Sequence, residues 1–86
     1  MHYVYYLQSL KVKDQFYVGS TSDLDKRLRQ HNKGDSSATK PYLPWELIFF
    51  EAFKSKSDAL RREEYLKTTK GRRGLKLITR ESRIKG

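Results

Sequence analysis

Residues 3–7 read Tyr3-Val4-Tyr5-Tyr6-Leu7, and after the polar run Lys11 to Gln15 residues 16–18 read Phe16-Tyr17-Val18. Both runs are almost wholly β-branched or aromatic, which predicts two paired strands. Lys11-Val12-Lys13-Asp14 lacks the Asn-Gly or Asp-Gly of a tight two-residue turn, so the connection is expected to be a longer loop. Ser22-Asp23-Leu24-Asp25 then reads as a helix N-cap with an acidic residue three positions on, and Gly34 is the matching stop, giving a helix over about 23–33. Residues 34–44, with Gly34, Asp35, Ser36, Ser37, Thr39, Pro41 and Pro44, form a loop. Trp45 to Phe53 is a third strand, and its near-continuous apolarity predicts a central position covered on both faces. Ser57 reads as a second N-cap, followed by a helix from Asp58 to Lys70 that stops at Gly71. Leu75, Leu77 and Ile78 allow a short C-terminal helix, and residues 81–86 are expected to fray. The order β-β-α-β-α describes an α+β fold, a small three-stranded and mostly antiparallel sheet flanked by helices.

The chain has 86 residues, enough for a single domain, 1–86, with one small core. It holds no cysteine, which excludes a disulfide framework, a thiolate metal site and a cysteine nucleophile, so stability must rest on aliphatic packing and eleven aromatic side chains. No secretory leader or run of ~20 apolar residues is seen, and a cytoplasmic protein is expected, associated with the nucleoid if the source is bacterial. The net charge is +9, and it is lopsided. Residues 1–53 carry 7 basic and 6 acidic side chains, whereas residues 54–86 carry 12 and 4. A basic face of this kind attracts polyanions, nucleic acid before anionic membrane.

Three polar features break the apolar patterning. On the first helix, Leu24 and Leu28 lie about 40° apart at 100° per residue, with His31 beside them and Arg27 flanking the stripe. On the second, Ala59 and Leu66 define an apolar direction and Glu63 projects between them, while Glu64 turns toward solvent. A carboxylate on a packing face is expected to meet an Arg or Lys, a metal, or water in a cleft, and the purely structural reading is a buried Glu63–Arg27 ion pair. Tyr5 and Tyr17 lie in two strands expected to pair, which can bring both phenols to one sheet face.

Taken together, these positions resemble the GIY-YIG nuclease superfamily. Tyr3-Val4-Tyr5 resembles the first motif and Tyr17-Val18-Gly19 the second. Gly19 to Leu28 is similar to the family's stretch from that glycine to its catalytic arginine, here Arg27. His31 stands where many members carry a histidine, and Ala59-Leu60-Arg61-Arg62-Glu63 resembles the helix bearing the metal-binding glutamate. Pro44-Trp45-Glu46-Leu47 looks like the start of the third strand in small stand-alone members. The resemblance covers about residues 3–78. Tyr3 replaces the first glycine, and residues 64–86 offer no candidate for the asparagine that many members carry near the end.

The resemblance implies a metal-dependent DNA endonuclease that hydrolyses phosphodiester bonds, in repair, recombination or the processing of structured DNA. A non-cleaving nucleic-acid-binding module on the same scaffold is the rival. By resemblance, Glu63 would hold one divalent ion, Mg²⁺ for preference, acting as a Lewis acid near the leaving oxygen. Arg27 would clamp the scissile phosphate, and either Tyr5 or Tyr17 would accept a proton from water if nearby cations such as Arg27, Lys26 or the metal lower its pKa. His31 would orient a phenol or share in the proton transfer. Gly19 would let a phosphate approach the strand end, and Lys26, Arg61, Arg62, Lys67, Lys70, Arg72, Arg73 and Lys76 would touch flanking phosphates. With no specificity module attached, target choice would rest on DNA structure or on a targeting protein partner.

Overall fold

The computed structural model describes residues 1–83. Strand β1 (His2–Ser9) runs antiparallel to β2 (Phe16–Thr21), and α1 (Leu24–Lys33) follows directly. A single 3-10 turn at Lys40–Tyr42 interrupts the long loop before β3 (Trp45–Phe53), after which come α2 (Lys56–Leu66) and α3 (Thr69–Ile78). All pairing is antiparallel, in the order β2-β1-β3. The α+β class and the element order are therefore as the sequence indicates, with the optional third helix present.

Several details differ. β1, rather than β3, is the central strand: Val4 to Ser9 are all buried, whereas β3 is an edge strand on which Phe50 is 48% exposed. The apolar run of β3 serves two half-covered faces instead of two buried ones. The caps shift as well. Asp23, not Ser22, caps α1 by accepting from the Lys26 backbone N–H at 3.1 Å, and Ser55, two residues before Ser57, precedes α2. Gly34 does end α1, in the left-handed conformation (φ 82°). The helix expected over 58–70 is two helices. Thr68 breaks it by accepting from the Gly71 N–H at 3.1 Å, so Gly71 opens α3 instead of stopping α2. Residues 81–83 are not frayed, because the backbone N–H groups of Ser82 and Arg83 both donate to Thr79 O at 2.9 Å. The rest of that expected tail, 84–86, lies outside the described residues.

The pleat of β1 splits the core in two. Val4 and Tyr6 pack with Val18, Ala59, Leu66 and Leu75 beneath α2 and α3. Tyr5 and Leu7 pack with Trp45 on the other face, where Leu24 and Leu28 of α1 close over them. One edge strand, β2, thus separates a face tended by α1 from a face tended by α2 and α3, and its outer edge is left without a strand partner.

Candidate active site

The register sets Gly19 opposite Tyr5 and Tyr17 opposite Leu7, so both tyrosines project to the α1 face. A Cβ on Gly19 would lie 2.6 Å from Tyr5 Cζ and 2.9 Å from Tyr17 Cε2. The room left by this glycine is taken up by the two phenol rings. The rings sit 6.3 Å apart, and His31 meets both edge-on, at 5.7 Å from Tyr5 and 5.1 Å from Tyr17.

His31 is fully buried and satisfied at both nitrogens. Nε2 lies 2.8 Å from the Tyr5 hydroxyl, and Nδ1 lies 2.8 Å from Thr39 Oγ1. Thr39 Oγ1 donates onward to Ser36 O at 3.4 Å, which leaves it to accept from Nδ1–H and leaves Nε2 to accept from the phenol. Burial, with the Arg27 charge adding to it, pushes His31 down to about 4, so the imidazole is neutral around neutral pH. Burial also pushes Tyr5 up to about 12, outweighing the opposing pull of Arg27. Arg27 thus pulls the Tyr5 pKa in the direction a general base requires, but in the resting protein burial prevails. Arg27 is half-buried beside the phenols, donates to Gln30 Oε1 at 3.1 Å, and is raised above its ordinary value chiefly by a hydrogen bond with Tyr5.

Thr39 was missed in the sequence, where it stands in a loop with no periodic signal. Its position depends on two clamps. Trp45 Nε1 donates to Thr39 O at 3.0 Å, and Asn32 bonds both backbone groups of Trp45, at 2.6 and 3.1 Å.

Glu63 approaches from the other face of β2. Ser20 Oγ donates to its Oε1 at 2.8 Å and Lys67 Nζ lies 3.0 Å from its Oε2, one helical turn on. Of the alternatives the sequence left open, the ion pair formed is with a lysine, Lys67, and not with Arg27; Lys67 also stands 6.0 Å from the centre of the Tyr17 ring. Glu63 and Tyr17, on opposite faces of β2, are linked around its open edge by this one ammonium, and the Glu63 charge is felt at Tyr5.

The other basic candidates divide. Lys67, Arg72 and Lys76 line one cleft at the β2 edge. Lys26 is exposed on α1, and Lys70 and Arg73 are exposed on α3. Arg61 is paired with Asp58, and Arg62 forms a two-point bridge to Glu51 of β3 at 2.8 and 3.2 Å while covering the Tyr65 ring. These two arginines stand on the β3 side, beside Phe53 and Tyr65.

The profile of the GIY-YIG catalytic domain matches residues 1–76. A UPF0213 protein of Staphylococcus saprophyticus is 40% identical over 80 residues, covering 91% of this chain and 94% of that protein. One from Clostridium perfringens is 39% identical over 84 residues, covering 95% and 87%. The solution NMR structure of a UPF0213 protein from Bacillus halodurans superposes with a TM-score of 0.55 at 32% identity, covering 94% of this chain and 85% of that one.

Proposed function

Because this chain belongs to the GIY-YIG catalytic-domain family, we propose that it is a metal-dependent endonuclease that hydrolyses phosphodiester bonds in DNA, acting in the cytoplasm on structured substrates. One observation carries the reading: Tyr5, Tyr17, Arg27, His31 and Glu63, drawn from four elements, converge across a single strand.

Among the described residues no three His, Cys, Asp or Glu side chains cluster as a metal cage. The fit is to an ion that keeps most of its water. Glu63 presents two hard carboxylate oxygens, is 18% exposed, and is held by partners that leave when displaced, an alcohol and a mobile ammonium. Glu63 would hold Mg²⁺, which when bound supplies Lewis-acid stabilisation of phosphoryl oxygens.

The chain's own groups do the rest. Arg27 sets its planar fork on the scissile phosphate and opposes the charge that builds in the transition state. Tyr5 takes the proton of the attacking water while its own hydroxyl proton passes to His31 Nε2. Placing a phosphate on Arg27 cancels part of the charge that depresses His31, so substrate binding itself makes the imidazole a better acceptor. Tyr17 packs against His31 and faces the cleft where flanking nucleotides run.

The test is Glu63→Gln. Its partner Lys67 is half-exposed, so the lost pair should cost less than about 1 kcal/mol and the variant should fold. Supercoiled, branched and single-stranded DNA are incubated with Mg²⁺ or EDTA. Wild type and Glu64→Gln are expected to cleave with Mg²⁺ only, and Glu63→Gln to bind without cleaving. Full Mg²⁺-dependent cleavage by Glu63→Gln would remove the metal assignment. Cleavage of nothing by wild type would leave the binding module.

A further inference from the structure

Between β2 with its hairpin loop and the α2–α3 corner lies a cavity of about 510 Å³. It is lined by Tyr6, Phe16, Tyr17, Lys67, Arg72 and Lys76, with Asp14 at the rim. Two of these residues, Tyr17 and Lys67, also border the candidate active site. The cavity therefore meets the candidate active site at the open edge of β2.

Its chemistry is of two kinds, flat rings and mobile cations. Phe16 is stacked on Tyr6, with centroids 5.2 Å apart and planes 11° from parallel, which fixes it as a rigid platform. Lys76 Nζ hovers 5.8 Å from the Phe16 centroid, and Lys67 Nζ 6.0 Å from that of Tyr17. Arg72 and Lys76 are one helical turn apart and share a flank of α3. Three cations face one carboxylate, and the ammonium groups ride on long exposed stems that can leave a ring when something flatter arrives.

Rings beside cations suit a ligand with a flat base and an anionic backbone. A double helix is far too wide for a cavity of this volume, and its bases are already stacked on each other. An unpaired nucleotide meets neither obstacle.

We infer that this cleft binds an unpaired nucleotide of the DNA strand near the scissile phosphate, its base against Phe16, with Tyr17 at the border toward the candidate active site, and its flanking phosphates on Arg72 and Lys76. The inference rests on the nuclease reading for its placement beside a scissile bond. The substrate class is then DNA with a single-stranded segment at the cut.

The experiment measures binding in EDTA, where no cleavage intervenes. The probes are a short single-stranded oligonucleotide carrying 2-aminopurine and the blunt duplex of the same sequence at the same salt. Wild type is expected to bind the single strand about 10-fold tighter, with quenching of the 2-aminopurine as it stacks. Phe16→Leu and Lys76→Gln should each weaken single-strand binding about 5-fold or more and leave duplex binding nearly unchanged. Lys54→Gln, an exposed charge between β3 and α2, should leave the ratio as in wild type. Phe16 supports the core, so circular dichroism checks that variant's fold; Lys76 is exposed and its variant stands without that concern. Equal affinity of wild type for both probes, or an unchanged ratio in folded Lys76→Gln, overturns the cleft. A protein that cuts duplex DNA without preferring the single strand keeps the nuclease reading and loses the cleft. One that prefers the single strand and cuts nothing keeps the cleft and loses the nuclease.

Discussion

His31 carries more of the site than any neighbouring side chain, since it joins α1 to β1 through Tyr5 and to the long loop through Thr39. It is also a pH liability. Its folded pKa of about 4 lies below the ordinary 6.5 of imidazole, so on acidification the unfolded chain takes up the proton first. The stability from keeping it neutral is whole above about pH 6.5 and is lost as the pH falls toward 4, up to about 3 kcal/mol. Urea midpoints measured at pH 7 and pH 4.5 should therefore fall more steeply in wild type than in His31→Gln. Parallel slopes would show that the imidazole titrates equally in both states. His31, Arg27 and Glu63 were legible in the sequence because each is a polar group at helical spacing with leucine or alanine, and a single helix wheel exposes the conflict. Thr39 and Ser20 were not, since a hydroxyl in a loop or a strand breaks no pattern and acquires its role only when a distant chain segment closes on it.

The α2–α3 corner is the element the sequence misjudged most. Lys67, Thr68, Thr69 and Lys70 read as a continuing helix, and Gly71 as its end, because composition is blind to a turn closed by one hydroxyl. Thr68 starts a second helix there, and Gly71 is buried where the corner folds back: a Cβ would lie 2.7 Å from Leu66 Cα and would also strike the Tyr65 carbonyl. Backbone atoms cannot swing aside as a side-chain tip can. Gly71→Ala should destabilise the fold by about 1–3 kcal/mol despite the helix propensity that alanine adds. Thermal unfolding of this variant beside Gly74→Ala decides the matter, because nothing lies within 4 Å of a Cβ on Gly74 and that change should be neutral or stabilising. The central place given to β3 failed for a related reason. Strand order depends on which partner each strand finds, and the apolar content of β1 and β3 is too similar to rank them.

Across the whole molecule the surplus positive charge is divided by structure as well as by sequence. Arg61 and Arg62 are held by Asp58 and Glu51 on the β3 side, and Lys67 is paired with Glu63, which leaves Arg72 and Lys76 as the cations of the β2-edge cleft, with Lys70 and Arg73 exposed elsewhere on α3. If about four of these cations touch phosphate, DNA affinity should fall about 100-fold between 50 and 200 mM salt. Arg72→Gln should reduce the slope of log affinity against log salt by about one, and Arg62→Gln should not. Equal effects of the two would mean that the bridge to Glu51 opens on binding. No helix among the described residues is long and apolar enough to cross a membrane.

The division of labour across β2 also bears on how the protein is made. Tyr5, Tyr17, Arg27 and His31 leave the ribosome early and on contiguous chain, whereas Glu63 follows only with α2 and is seated only once that helix packs beneath the sheet. A nascent or proteolytically shortened chain that ends before α2 has the phenols and the arginine but no carboxylate to set opposite them. On the nuclease reading, the protein is harmless to the DNA around it until α2 has been made and packed, an interlock that comes from the order of elements along the chain and needs no inhibitor.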